Sequence, residues 1–290
     1  MSPLILALVL TAAVVHAIWN LWAKELSGKG RSTSLMWLMT ACSSAIYVPP
    51  AVALALAQHW RPHPIDLVFI AASGVIHVGY FFLLMRGYRA SDLSLVYPVA
   101  RGTGPLLSAI GAFTLFGDPA TAPAIIGALA IAGGIAILTV RSQVLHDPRA
   151  GAGVRWGLAT GGSIAIYTLW DAWAVQRAHV PPLFFYAAGE LVRVIVLAPW
   201  ALRDRAGVAD LWRSSRWRVI GIAAFSPLSY ILVLIAMQWG QVSRIAPARE
   251  LSILVGAYLG GRVLGEGERR RRQVAAAAFV AGVVALAWGR

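Results

Sequence analysis

Cysteine is nearly absent from this chain of 290 residues, since Cys42 is the only one. A single cysteine excludes a disulfide within the chain and a metal site built from several thiolates. Charged residues are also scarce, at 13% of the chain, about half of their share in an ordinary soluble domain. The polar residues form no nucleophile motif and no metal-ligand spacing. The sequence therefore predicts neither an enzyme nor a bound cofactor or metal.

Apolar residues are abundant and make up 59% of the chain. A helix that crosses a bilayer needs roughly 20 mostly apolar residues. Segments of that kind occur near 4–23, 34–57, 65–85, 94–116, 121–140, 156–176, 182–201, 219–239, 245–265 and 273–289. The first has no basic region before it and is followed by Lys24 rather than by a cleavage site, so we interpret it as a retained helix. The sequence thus predicts an all-α integral membrane protein with ten transmembrane helices.

The two halves of the chain repeat one pattern. A proline, an arginine and small residues spaced by four end a long apolar segment at Pro98 and Arg101, and again at Pro247 and Arg249. We therefore predict a first repeat over 1–150 and a second over 151–290. Five helices in each repeat, an odd number, make the two repeats inverted relative to each other. Inverted repeats are typical of transporters whose site lies where the repeats meet.

Basic residues are distributed unevenly between the predicted loops. Of the 25 Lys and Arg residues, 17 fall in the odd-numbered loops. Cytoplasmic loops collect Lys and Arg. The odd loops are therefore predicted to face the cytoplasm and both termini the periplasm, in a bacterial inner membrane. The net charge of +13 then faces anionic lipids, so it requires no nucleic-acid partner.

Several arginines fall inside the apolar segments, where a charge costs about 2.5–3.5 kcal/mol on insertion scales. Arg101 and Arg249 are matched between the repeats, and each closely follows a proline. One hypothesis is that Pro98 and Pro247 break their helices and that the arginines bind an anionic group such as a carboxylate. The other is that the prolines lie in ordinary first turns and the arginines snorkel, as is predicted for Arg262 near a helix end.

Acidic residues in the apolar segments are candidates for coupling or gating. Glu190 and Arg193 are three positions apart, which allows them to pair, either as a structural ion pair or as part of a coupling device. Glu250 cannot share a helical face with Arg249, so we expect it to meet another helix. No acidic residue is both unpaired and matched in the two repeats. We therefore predict transport driven by the substrate gradient alone.

Polar and aromatic residues predict a cavity between the helices. In several segments they recur at spacings of three and four, so they share a helical face. Taken singly, each could be a hydrogen-bonding strut or part of an interfacial aromatic belt, whereas together they indicate a binding cavity. Besides the two matched arginines, the predicted lining consists of His16, Trp19, Asn20, His77, Tyr80, Tyr97, Tyr167, Trp170, Asp171 and Tyr230.

Several runs resemble the EamA family of the drug/metabolite transporter superfamily. They are His-Ala-Ile-Trp-Asn from residue 16, His-Val-Gly-Tyr from residue 77, the run 94–105, Ala-Pro-Ala-Arg-Glu-Leu-Ser from residue 246, and a closing Leu-Gly-Glu. The match follows the whole chain in order, although Phe116-Gly117-Asp118 replaces Leu-Gly-Glu in the first half. The resemblance implies ten helices in two inverted repeats around a central cavity, working by alternating access.

The resemblance also implies a function, because characterised members of the family export amino acids and other small metabolites. We expect a secondary transporter that exports amino acids, including aromatic and other apolar ones, and that works as a monomer in the lipid bilayer. The main alternative is a proton-coupled exporter of drugs or organic cations. Acidic residues without matched arginines favour that alternative, whereas the paired arginines favour a substrate with a carboxylate.

Overall fold

The structure is a computed structural model that describes residues 1–27, 32–91, 93–139, 149–255 and 269–288. Within these ranges the chain forms helices and connecting turns, without a strand. The helices are α1 (Pro3–Ser27), α2 (Ser32–Ala57), α3 (Pro64–Ala90), α4 (Leu93–Leu115), α5 (Ala122–Thr139), α6 (Ala150–Gln176), α7 (Pro182–Arg203), α8 (Arg205–Trp239), α9 (Val242–Ala248) and α10 (Arg269–Trp288). Residues 251–255 are also helical. The predicted all-α class is confirmed.

Many of the helices are built to cross a bilayer. Of the described helices, α1, α2, α3, α7 and α8 are long and apolar enough to do so, and α5 and α10 are shorter apolar helices. Their outer faces carry large apolar side chains such as Leu56, Ile126 and Ile195, which are 70%, 61% and 71% exposed. Contiguous apolar surface of this kind is costly in water, and lipid solvates it. The chain is a multi-pass membrane protein.

One predicted loop is helical. The segment 202–218 contains the start of α8, where the carboxylate of Asp204 accepts a hydrogen bond from the Gly207 amide at 3.2 Å. The helix then bends at Ser215, whose backbone angles are not helical. Hydropathy alone misses this part of α8, because five arginines between positions 203 and 218 make it polar. The prediction that residues 202–218 form a loop is therefore wrong.

The predicted helix breaks also need correction. α4 continues through residue 98, so Pro98 does not break it. Proline is tolerated inside a membrane helix where other groups satisfy the freed backbone carbonyl. In the second half, α9 ends at Ala248 and a turn at 249–250 follows, so Pro247 lies just before a break. Residues 256–265, predicted to complete that helix and including Arg262, lie outside the described part of the chain.

The helix pairings are the same in both halves once each helix is replaced by its counterpart in the other repeat. The counterparts are α1 and α6, α2 and α7, α3 and α8, and α5 and α10. The pair α1–α8 then corresponds to α6–α3, and the pair α2–α8 corresponds to α7–α3. The pairs α2–α7 and α5–α10 each join a helix to its own counterpart. These pairings are those of a duplicated five-helix unit.

The two halves run in opposite directions through the bilayer. The Met1 ammonium donates to the Ala287 carbonyl at 2.7 Å, so α1 starts beside the end of α10. Trp156, near the start of α6, lies under Arg86 at the end of α3, with 5.9 Å between Cζ and the ring centroid. Consequently α1 and α6 start on opposite sides. Met1 and the end of α10 share one side, and the end of α3 and the start of α6 lie on the other.

Glycines join the two halves along α4 and α6, a contact that we call the α4–α6 seam. A Cβ at Gly104 would lie 2.7 Å from an isoleucine of α6, and a Cβ at Gly157 would lie 2.7 Å from the Cβ of Val99. Ser108 and Ala112, further along α4, are fully buried. Only small residues allow two membrane helices to approach this closely. The small-residue stripe of α4 is a helix-packing face, as its spacing predicts.

Replacing Gly157 by alanine is expected to destabilise the protein, because the new methyl group meets the Cβ of Val99, which no side-chain rotation can move. Overpacking of this kind typically costs about 1–3 kcal/mol. Gly162→Ala is the matched control, since it lies in the same helix and a Cβ there meets no described atom within 4 Å. Thermal unfolding in detergent compares the two variants. Equal midpoints would contradict close packing at the seam.

Candidate substrate-binding site

Polar and aromatic side chains meet inside the helix bundle, and we call this group the central cluster. They come from α1, α3, α4, α6, α8 and the turn after α9, so both halves contribute. The members are His16, His77, Tyr80, Tyr97, Arg101, Tyr167, Asp171, Tyr230, Arg249 and Glu250. All except Glu250 belong to the predicted cavity lining.

One carboxylate lies between the two repeat-matched arginines. Glu250 Oε2 is 3.0 Å from Arg101 Nε, and Glu250 Oε1 accepts a hydrogen bond from Arg249 Nε at 3.4 Å. Arg101 Nη2 also contacts His16 Nε2 at 3.3 Å. The three charged side chains are at most 7% exposed. Because two buried cations share one anion, this arginine–glutamate triad by itself carries one net positive charge, which favours an anionic group of a ligand at that place.

Glu250 meets one expectation and contradicts another. It contacts Arg101 of α4, as expected for a residue directed at another helix. It also contacts Arg249, its neighbour in sequence, which the helical reading excluded. The contact lies in the turn at residues 249–250, just after the end of α9. Arg249 Nη2 has no hydrogen-bond partner among the described residues.

A second carboxylate, Asp171, is fully buried in the central cluster. Its Oδ2 accepts a hydrogen bond from the Tyr230 hydroxyl at 2.8 Å and lies 3.7 Å from His77 Nε2. The other ring nitrogen, His77 Nδ1, is 2.9 Å from the carbonyl oxygen of Ser73. Asp171 Oδ1 accepts no hydrogen bond from the described part of the chain. The carboxylate therefore keeps a free acceptor.

Aromatic rings surround both carboxylates. The Tyr167 ring centroid is 4.3 Å from that of His77, 5.5 Å from that of Tyr80 and 6.2 Å from that of Tyr230. Each matched arginine also lies over a tyrosine ring, with 5.7 Å from Cζ to the centroid of Tyr97 in the first repeat and 5.8 Å to that of Tyr230 in the second. Such cation–π contacts hold a guanidinium in place without neutralising its charge.

A separate ion pair lies on α7. Arg193 Nη1 and Glu190 Oε1 form a buried pair within this helix, as their spacing predicts. Arg193 also donates to the Tyr186 hydroxyl at 3.4 Å, and its Cζ lies 4.9 Å from that ring. The Tyr186 ring is 5.6 Å from that of Tyr230, which connects the pair to the central cluster. A cavity of about 110 Å³ adjoins the pair between α2, α7 and α8, with Met39 on its α2 side.

Three predicted lining residues lie at the edge of the central cluster or outside it. Trp19 packs against His16, with ring centroids 4.8 Å apart, and so forms an edge. Asn20 donates to the His16 carbonyl at 2.8 Å, within its own helix. Trp170 donates to the Phe69 carbonyl at 2.9 Å and packs on that ring. These contacts do not bring Asn20 or Trp170 into the cluster.

Tyr186 is the residue that sequence reasoning missed. Its spacings of four to Glu190 and seven to Arg193 place all three on one face of α7, and that signal was sufficient to identify it. As for metals, no group of three His, Cys, Asp or Glu side chains that could hold an ion converges in the described ranges.

Comparison with known proteins identifies a family for the first half of the chain and a related fold for nearly the whole chain. Residues 3–140, nearly all of the first predicted repeat, match the profile of the EamA-like transporter family. A solved crystal structure of another protein superposes with a TM-score of 0.76, covering 97% of this chain and 95% of that chain. At 17% identity, that likeness concerns the fold. No curated protein sequence matches the chain.

The family match indicates a membrane transporter of the drug/metabolite transporter type. Residues 3–140 match the EamA-like transporter family, and the second half of the chain repeats the sequence pattern of the first. The resemblance drawn from the motifs is confirmed. Members of this family are transporters and not enzymes.

Proposed function

We propose that the protein is a secondary transporter that exports amino acids, aromatic and other apolar ones among them, by alternating access. The observation that carries the proposal is the arginine–glutamate triad. Two buried arginines share one carboxylate and leave a positive charge for the carboxylate of a substrate. Arginine suits this role because its planar guanidinium can bind a carboxylate through two N–H groups.

The aromatic residues support a preference for apolar side chains. His77, Tyr80, Tyr97, Tyr167 and Tyr230 lie beside the charged groups and offer flat, partly apolar surface. Such surface accepts aromatic or aliphatic side chains mainly by area buried. Selectivity among apolar amino acids should therefore be loose, because one methylene discriminates by only about 1–3 kcal/mol.

Alternating access follows from how the halves share the triad. We propose that 1–150 and 151–290 are the repeats that move relative to each other. Arg101 belongs to the first, and Arg249 and Glu250 belong to the second, so motion between the repeats changes the distances within the triad. We also propose that the protein functions as a monomer, since one chain supplies the complete triad and its tyrosines and the proposed site needs no residue of a second copy. Glu190 and Arg193 remain candidates for gating, because they border the cavity between α2, α7 and α8.

A proton-coupled exporter of drugs or organic cations is the second candidate. Asp171 favours it, because a buried carboxylate with a free oxygen beside tyrosine rings can bind a cation. The net positive charge of the neighbouring triad argues against a substrate whose only charge is positive, because such a substrate has no carboxylate to offset the repulsion.

Liposomes that contain the purified protein and are loaded with a mixture of amino acids should release apolar and aromatic ones faster than protein-free liposomes. Release should continue with protonophore and without a pH gradient, because no acidic residue is both unpaired and matched between the repeats. Parallel liposomes loaded with tetraphenylphosphonium test the second candidate. Release of that cation without amino acids would replace our proposal, and release that stops with protonophore would show proton coupling.

We propose that the protein lies in a bacterial inner membrane with both termini in the periplasm. The basic helix ends support this orientation, because Arg86, Arg203 and Arg205 lie on the side opposite Met1. In a Cys42→Ala background, Ser2→Cys should react with an impermeant maleimide from outside intact spheroplasts. Ala206→Cys, in the α8 segment at the basic side, should react only after lysis. The reverse pattern would invert the orientation.

A further inference from the structure

We propose that Asp171 and Arg249 bind the two ends of a zwitterionic substrate, with the ammonium group at Asp171 and the carboxylate at Arg249. This assignment rests on the proposed export of amino acids and adds the residue that recognises the amine. It restricts the substrates to molecules that carry both charges close together, and it excludes simple amines and simple carboxylic acids of the same side chain.

Each end of the site has a buried polar atom that the described residues leave without a partner. These atoms are Oδ1 of Asp171 and Nη2 of Arg249, in side chains that are 1% and 6% exposed. A buried polar atom without a hydrogen bond is costly, so a native protein keeps one where a ligand can satisfy it. One atom is an acceptor and the other is a donor, and a zwitterion supplies the complement of both.

Tyr230 connects the two ends of the site. Its hydroxyl donates to Asp171, and the Arg249 guanidinium lies over its ring. The free acceptor and the free donor therefore belong to side chains that contact the same tyrosine. The ammonium and carboxylate groups of an α-amino acid are attached to the same carbon atom, and we assign one group to each of these side chains.

His77 makes the Asp171 end specific for a hydrogen-bond donor. Because the Ser73 carbonyl can only accept, the proton of a neutral imidazole lies on His77 Nδ1 in this contact. His77 Nε2 is then an acceptor that faces Asp171 Oδ2 at 3.7 Å. Two acceptors face each other, and an ammonium group carries three donors and no acceptor. The Asp171 end thus fits an ammonium group better than a hydroxyl.

The charges of the interior favour a ligand without net charge. Among the buried charged residues of the central cluster and the α7 ion pair, the three arginines Arg101, Arg193 and Arg249 are balanced by three carboxylates, which are Asp171, Glu190 and Glu250. A zwitterion preserves this balance. An amine or a carboxylate alone adds one uncompensated charge to a buried site within the membrane, where such charges are costly.

Three ligands that share one side chain but differ in their charged groups test the assignment. They are L-phenylalanine, 2-phenylethylamine and 3-phenylpropionate, and their affinities are measured by calorimetry on the purified protein. The wild type should bind phenylalanine roughly tenfold or more tightly than either analogue, as expected from one lost charged hydrogen bond. Asp171→Asn should weaken phenylalanine binding until it is no tighter than that of 3-phenylpropionate, without weakening 3-phenylpropionate. Arg249→Gln should weaken phenylalanine binding until it is no tighter than that of 2-phenylethylamine, without weakening the amine.

Asp66→Asn is the control, because it removes a similarly buried carboxylate at the start of α3, where Asp66 accepts from the His63 amide. It should leave all three affinities unchanged. If Asp171→Asn weakens phenylalanine and 3-phenylpropionate by the same factor, Asp171 has a structural role and our assignment is wrong, although amino-acid export stands. If the wild type binds none of the three ligands, the proposed function fails together with the assignment.

Discussion

Arg101→Ala and Arg249→Ala are each expected to slow amino-acid efflux by roughly 30-fold or more. Loss of one partner from a buried, hydrogen-bonded charge pair costs about 2–5 kcal/mol in binding, and about 1.4 kcal/mol corresponds to tenfold. Lysine should restore little at either position if two N–H groups of the guanidinium hold the carboxylate. Initial efflux rates from liposomes with equal amounts of inserted protein measure the effect.

Arg61→Ala is the matched control for this pair of variants, because Arg61 is an exposed arginine outside the helices. Its efflux should equal that of the wild type. Size-exclusion profiles identify any variant that has lost its fold. Near-normal efflux in both triad variants would mean that the two arginines only snorkel, and the carboxylate site would have to lie elsewhere.

Glu250→Gln is expected to destabilise the protein more than either arginine variant. It leaves Arg101 and Arg249 buried without the counter-ion that they share, and breaking a buried pair in this way costs about 3–5 kcal/mol. The double variant Arg101→Gln, Glu250→Gln removes one charge of each sign and so restores the net charge of the native triad. Its thermal midpoint in detergent should be closer to the wild type than that of Glu250→Gln alone.

A Glu250→Gln variant as stable as the wild type would show that the two arginines tolerate each other without this carboxylate. The comparison matters because only the second half carries the acid. The residue after Arg101 is Gly102, whereas the residue after Arg249 is Glu250. Both repeats therefore carry the arginine that we propose binds the substrate carboxylate, but only the second repeat carries an acidic residue that pairs with these arginines.

Much of the fold follows from the sequence, because hydropathy and duplication are properties of whole segments. The described helices fall close to the predicted apolar segments, and the EamA-like family is recognisable from motifs. The start of α8 could not be recognised in the same way, because arginines make residues 203–218 polar. The two prolines look alike in the sequence, but the helix continues through residue 98 and ends just after Pro247, because a proline permits a break without requiring one.

The composition of the central cluster was predictable, but the directions of individual side chains were not. His16, His77 and Asp171 are polar residues in apolar helices, and such residues face the bundle interior rather than lipid. Trp170 satisfies the same pattern but donates to the Phe69 carbonyl, because an indole can hydrogen-bond at many places. The contact of Glu250 with Arg249 depends on a turn that helical periodicity cannot represent.

The α4–α6 seam has a mechanical consequence. Its glycines place the backbones of the two helices so close that side chains of the facing helix fill the space a Cβ would occupy, so separating the helices would lose many contacts at once. Motion between the two halves is therefore expected to be smallest at the seam. The widest opening is expected away from it, on the flank where α2 packs on α7 and α8.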